Sequence, residues 1–347
     1  MGKNKLLEAF AADKRMLMVG SICTLLLVAL LASQGINGLK PSSIALNGLM
    51  YLVMLMFFIV WRNIRLIVIE RPDQLFLTIW QREMTQEGKE RVVRAIPTVV
   101  LLFTFMPVFS AMKSAIPLFN EFQWDQTFIE WDRALFGMDA WQLLYPILFY
   151  PITLAAIAFL YHLWIFLIYA GGLYFAFKLD QPEVRERYFI SYFSIWTIIG
   201  GLMAIYFSSV GPCFAYPLLG IPDFEPLMEK LRSANNHIPI MVLDVQAELV
   251  RWQLHGENGL GRGITAMPSM HVSLALLFFL AVRQISTKAG LVFGLFFLII
   301  CVGSIVTGYH YAVDGIVAAA ATYIIWVAVG VALKFKSGVS VGNVQPA

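Results

Sequence analysis

Eight stretches of this chain are long, apolar and nearly free of charge, at roughly 16–33, 46–61, 95–113, 152–177, 189–210, 268–285, 290–308 and 312–334. Each holds about 16–26 residues, enough for a helix to cross a ~30 Å hydrocarbon core, some of them tilted. The bulk composition agrees: 59% of the 347 residues are hydrophobic and only 14% charged, where a soluble chain carries about 25% charged residues. The expected fold class is therefore all-α, a polytopic membrane helix bundle of about eight transmembrane helices. The run from Met16 to Ser33 follows Glu8 and Asp13 and is long for a signal-peptide core, so it reads as a retained first span. Of the three cysteines, Cys23 and Cys301 fall inside spans, which leaves neither a disulfide framework nor metal-ligand spacing.

Basic residues set the expected orientation. With the N-terminus in the cytoplasm, the inner segments collect 18 of the 25 Lys and Arg. The outer segments keep only Lys40, Lys113, Arg133, Lys230, Arg232, Arg251 and Arg262. That bias puts both termini inside. The net charge of +3 reflects these loops and implies no nucleic-acid partner. Two outer segments are long. In the first, about 114–151, Trp124, Phe128, Trp131 and Leu135 recur at helical spacing and predict a helix lying in the interface. The second, about 211–267, has too few apolar residues for a domain of its own and is expected to cap the bundle.

Two short stretches carry chemistry: Pro268-Ser269-Met270-His271, and Gly308-Tyr309-His310-Tyr311-Ala312-Val313-Asp314. Between the histidines the chain crosses the membrane down and back, so both are expected at the same, extracytoplasmic face. His310 and Asp314 are four apart, which brings them together a helical turn apart. A carboxylate there accepts the Nδ1 proton of His310 and leaves Nε2 free for a substrate. Pro268 and Ser269 open the sixth span, where free backbone N–H groups and the Ser269 hydroxyl suit a phosphate. His271 has an ordinary pKa near ~6.5, suited to giving a proton to a departing alkoxide. Together these parts suit phosphoryl transfer without metal or organic cofactor: His310 attacks phosphorus, Asp314 orients it, and His271 protonates the leaving group.

The two stretches resemble the second and third motifs of the type-2 phosphatidic acid phosphatase superfamily, Pro-Ser-Gly-His and Ser-Arg-x5-His-x3-Asp. They resemble its inositol-phosphorylceramide-synthase-like branch more closely, where Met replaces Gly and the third motif reads His-Tyr-x-x-Asp. Gly263-Ile-Thr-Ala-Met-Pro-Ser-Met-His271 and the run from Lys113 through Trp124-Asp and Trp131-Asp to Gly137 are similar to that branch as well. The resemblance implies a six-helix core over residues 95–335, with 1–94 as a two-span N-terminal addition and 336–347 as a tail. It also implies His310 as nucleophile, Asp314 as its partner, His271 as acid and Ser269 as a phosphate contact. The sequence departs from the pattern at one critical place. The Ser-Arg pair falls on Gly303-Ser304, and no Lys-x6-Arg-Pro first motif lies on the outer face. A phosphate site needs cations, and the outer ones nearest the motifs are Lys113 and Arg262.

Single residues also have plainer readings. His162 lies mid-span without an evident partner and reads as a packing residue, although an intramembrane ionisable group is a functional candidate by default. Asp125 and Asp132 read as water-facing or turn-capping, and His237 and His255 as solvated loop residues. The expected function is hydrolysis or transfer of a phosphoryl-type group from a membrane lipid phosphate or phosphodiester, with water or an alcohol as acceptor, in a plasma or inner membrane. The alternative is a non-catalytic lipid transporter or scaffold that keeps the fold, motivated by the missing arginine. A transporter of that kind shows interrupted spans in matching halves, and no such symmetry is visible.

Overall fold

A computed structural model describes residues 3–256 and 263–337, and every regular element among them is helical. Seven helices are long and apolar enough to cross a membrane: α1 (Lys14–Ser33), α2 (Pro41–Arg62), α3 (Gln86–Phe119), α6 (Pro151–Phe177), α7 (Pro182–Tyr206), α11 (Thr287–Val306) and α12 (Ala312–Lys334). Between them lie α4 (Asp125–Phe136), α5 (Ala140–Leu148), α8 (Glu225–Asn235), α9 (Met241–His255) and α10 (Met270–Ile285). The chain is a multi-pass membrane protein.

Two helices differ from their expected extents for local reasons. The third apolar run sits inside a 34-residue helix, because Thr85 caps its start by accepting from Gly88 N–H and a polar turn precedes Ala95. At ~51 Å this helix exceeds the bilayer core, and it contains Pro97, Pro107 and Pro117. Neighbouring helices tolerate such prolines in a membrane bundle. The sixth run forms only the 16 residues of α10, bounded by Ser269 at its N-cap and Ser286 after its end. Most of α10 is buried, from Val272 to Val282, so it is a central strut rather than a lipid-facing span.

Phe105 and Phe109 of α3, Tyr188, Phe193 and Trp196 of α7, and Phe278 of α10 fill the centre of the bundle. Lipid tails are as apolar as these side chains, so packing and internal polar ties decide which helices meet. One tie is Arg185, whose guanidinium grips both carboxylate oxygens of Asp13 and also donates to Thr98 Oγ1 and the Phe175 carbonyl. Another is Tyr169 Oη, which donates to Asn47 Oδ1 at 2.8 Å and joins α6 to α2. A second apolar cluster stands over the other end of the bundle, built from Phe128, Trp141, Phe214, Leu227, Ile264 and Tyr311. As the sequence suggests, the segment after α7 caps the bundle there. Gln246 of α9 donates to the Thr307 carbonyl at 2.8 Å and fixes the cap.

Candidate active site

The Ser269 hydroxyl accepts from Val272 N–H at 3.4 Å and starts α10 one residue later than Pro268 would. That places His271 in the first turn, where its ring reaches a cavity of about 190 Å³. Tyr161 and Trp164 both stack on the ring, with centroids 4.3 and 4.0 Å from it. The His271 ring makes no hydrogen bond among the described residues, so these stacking contacts hold its plane. Ser269 is fully buried, its hydroxyl is committed to the cap, and it is not among the cavity's lining residues.

His310 reaches the same cavity from a turn. Gly308 takes φ +76°, a conformation open to glycine, and His310 N–H donates to the Ser304 carbonyl at 3.1 Å. The last helix begins only at Ala312, so His310 precedes it rather than riding on it. Asp314 sits in its first turn. The Asp314 carboxylate accepts Tyr311 N–H at 3.1 Å through Oδ2, and the same oxygen lies 3.2 Å from His310 Nδ1. A carboxylate only accepts, so Nδ1 carries the proton and Nε2 keeps its lone pair. Asp314 is fully buried behind His310. Burial, with a smaller contribution from the Lys113 charge, lowers the His310 pKa, partly opposed by a hydrogen bond to the Ala266 backbone. The imidazole is thereby held neutral. The rings of His271 and His310 stand 5.9 Å apart, centroid to centroid, at 64°.

Lys113, near the end of α3, lines the cavity within electrostatic reach of both rings. It has no ion pair or hydrogen bond among the described residues. Arg133, in contrast, is held by Asp139 and Asp223 at 2.7 and 2.9 Å. At the position where the resembled motif has arginine, Ser304 donates its hydroxyl to the Cys301 carbonyl and is buried. A Cβ added at Gly303 would already crowd Ile157 and Tyr161 at 3.1 Å. Gly263, at φ +93°, lies against the Lys113 carbonyl, where a Cβ would come within 2.8 Å. Arg262 lies outside the described residues.

Asp125 and Asp132 are not water-facing. The buried face of α4 is Asp125, Phe128, Ile129 and Asp132, while Trp131 and Leu135 are exposed. Asp125 accepts from Gly211 N–H at 2.8 Å, Val210 N–H at 2.9 Å and Tyr311 Oη at 2.9 Å. Asp132 accepts from Ala312 N–H at 2.8 Å and Val313 N–H at 2.9 Å. It thus caps the first turn of α12 from another helix, where a carboxylate also meets the positive end of the helix dipole. Burial raises both carboxyl pKa values and these donors oppose it. The two carboxylates clamp Tyr311 and Ala312, the residues that follow His310.

Three of the six expected site residues, His271, His310 and Lys113, share the cavity, with Asp314 behind His310. The sequence reading missed the wall that α6 supplies, because apolar and aromatic residues in a span look alike whether they line a pocket or face lipid. It also missed Asn47, which α2 contributes to the lining. Among the described residues, no group of three or more His, Cys, Asp and Glu is spaced to hold a metal ion. Compared with known proteins, residues 126–328, more than half of the chain, match the model of the PAP2 superfamily. No curated protein and no solved structure matches the chain.

Proposed function

The chain belongs to the PAP2 superfamily, and on that premise we propose that it hydrolyses or transfers a phosphoryl-type group of a membrane lipid through a phosphohistidine on His310. The observation that carries this reading is one cavity lined by His310, which Asp314 backs, by His271, whose ring makes no hydrogen bond, and by the unpaired Lys113.

In the first step His310 Nε2 attacks phosphorus, and the bond from phosphorus to the lipid oxygen breaks. The departing alkoxide takes a proton from His271, which enters the step as the imidazolium, stabilised by the negative charge of the bound phosphate. Asp314 accepts the Nδ1 proton throughout and stabilises the positive charge that phosphorylation places on the ring. In the second step an acceptor hydroxyl gives its proton to His271 and attacks phosphorus. The P–N bond breaks and both histidines return to their starting states. Lys113 neutralises the phosphoryl oxygens, which no arginine of the third motif reaches here. Arg262 is a second candidate for that role, whereas the capping position of Ser269 leaves it supporting the backbone beside His271.

Water as acceptor makes the protein a phosphatase, and a second alcohol makes it a head-group transferase of the inositol-phosphorylceramide-synthase-like kind. The distribution of Lys and Arg supports cytoplasmic termini and a site on the extracytoplasmic side. Residues 95–335 would form the catalytic unit, with 1–94 flanking it. The test uses purified protein in liposomes with labelled lipid phosphates and phosphodiesters, with and without inositol, comparing wild type with His310→Ala. Free phosphate from wild type alone identifies a phosphatase, and a new lipid or head-group adduct a transferase. Identical traces from both proteins would replace this reading with a non-catalytic lipid carrier.

A further inference from the structure

The loop that carries His271 and the turn that carries His310 lie at the two ends of the α10–α11 hairpin, yet their rings stand 5.9 Å apart. A backbone bond joins loop and turn directly, from Ser269 N–H to the Asp314 carbonyl, but at 3.3 Å it is long. Both are also bound to a third segment, residues 208–213, which follows α7.

Ser209 holds the His271 loop. Its carbonyl accepts Ala266 N–H at 3.0 Å, and its hydroxyl accepts Met267 N–H at 3.2 Å. Further along the segment, Cys213 N–H donates to the Gly308 carbonyl at 2.7 Å, in the turn before His310. Asp125 completes the set of contacts. By accepting Val210 N–H, Gly211 N–H and Tyr311 Oη, it joins the segment to the residue after His310. The start of α4 is docked on the same segment, because the Ser208 carbonyl accepts Gln123 N–H and Trp124 N–H at 3.2 and 3.3 Å. Asp125, Ser209, Val210 and Tyr311 are all buried, where a satisfied polar network is stiff and costly to break. Neither Asp125 nor Ser209 lines the cavity.

In the phosphoryl-transfer reading, on which this inference rests, the lipid oxygen leaves in line with the attacking nitrogen. His271 must therefore face His310 across one phosphorus atom. His310 keeps its own supports apart from the segment, since Asp314 backs its ring and Asp132 holds Ala312 N–H and Val313 N–H. What the segment adds is the offset between the two histidines. We propose that Asp125 and Ser209 are positioning residues, which act through residues 209–213 to hold the proton donor His271 in register with the nucleophile His310.

A leaving group that needs no proton separates positioning from plain loss of structure. When His310 attacks a p-nitrophenyl ester, the P–O bond breaks and nitrophenolate departs with the electron pair, so His310 is required and His271 is not. Full-length protein in liposomes is compared on phosphatidic acid with p-nitrophenyl phosphate, and on phosphatidylinositol with inositol p-nitrophenyl phosphate. Release of diacylglycerol or nitrophenol is read in the first turnover. Asp125→Asn is expected to slow diacylglycerol release by about 10²-fold, the cost of roughly 1 Å of misplacement, and nitrophenol release by less than about threefold. His271→Ala, which removes the proton donor itself, should show the same selectivity. Ser209→Ala and Tyr311→Phe each remove a single hydroxyl and should slow diacylglycerol release alone, by about threefold to tenfold. They carry the test if an unfolding scan shows that Asp125→Asn does not fold. Equal losses on both leaving groups, or unchanged diacylglycerol release in the folded variants, would overturn this inference while leaving the catalytic reading in place. No release from any of the four probes by folded wild type would instead remove the catalytic reading beneath it.

Discussion

The two ends of the bundle handle buried charge in opposite ways. At one end Asp13 meets Arg185 bidentately, and the pair, with Thr98 and the Phe175 carbonyl, ties α1, α3, α6 and α7 together. About 21 Å away along α6, measured from residue 175 back to residue 161, three carboxylates are buried with no Lys or Arg partner among the described residues. Asp125, Asp132 and Asp314 are held instead by backbone N–H groups, the Tyr311 hydroxyl and the His310 ring. The cation of that end, Lys113, pairs with none of them and stands unpaired in the cavity among the described residues. A matched ion pair closes a structure, because neither partner has anything left to offer. Carboxylates held by neutral donors engage no cation, and a free cation beside two histidines suits an anionic substrate.

Substitutions that exchange these roles test the contrast, beginning with the largest effect. His310→Ala is expected to lower lipid-phosphate turnover by about 10⁴-fold or more while the protein keeps its thermal stability in detergent. Arg185→Met should do the reverse. It strands a buried carboxylate and should destabilise the protein by about 3–5 kcal/mol, with turnover per folded molecule retained. The double change Arg185→Met with Asp13→Leu should recover most of that loss in an unfolding scan. Lys113→Gln should lower kcat/KM by about 10–100-fold, the worth of a charge-assisted contact, without destabilising the fold. An unfolding loss like that of Arg185→Met would mean that Lys113 is a structural partner and the contrast fails. Asp132→Ala, which uncaps α12, should cost about 1 kcal/mol, read from the same scans. The smallest effect is a displacement of the pH profile. Because burial holds the His310 pKa low, protonation of the nucleophile begins only below the ordinary imidazole value of about 6.5. The acid limb of kcat/KM, which reports the free enzyme, should lie below that pH.

How much of this was legible in the sequence follows from the range of the interactions involved. Seven of the spans were readable because an uninterrupted apolar run is a local signal, and the short extent of α10 reflects two serine caps at its ends. His271, His310 and Asp314 were legible as a pattern of spacing and membrane parity, and Lys113 as one of few cations in the outer segments. Asp125 and Asp132 read as water-facing or turn-capping; the capping holds for Asp132, but the aromatic residues of α4 suggest the wrong buried face. The period that governs its packing is Asp125, Phe128, Ile129, Asp132, with carboxylates at both ends of an apolar face. Their donors lie 85 and 180 residues further along the chain, and no local pattern announces them. The same distance hides the partnership of Asp13 with Arg185. In each case the residue type was visible and its partner was not.

The central claim is that His310 carries the phosphoryl group, and rapid quenching tests it most directly. Liposome-reconstituted wild type is mixed with a phosphorus-labelled lipid phosphate, stopped in alkali, digested and read by mass spectrometry. Expected is an acid-labile, alkali-stable phosphate on the peptide containing His310, absent in His310→Ala and still formed in Lys113→Gln at a lower rate. Turnover with no phosphate on that peptide, or the same adduct persisting in His310→Ala, would contradict it.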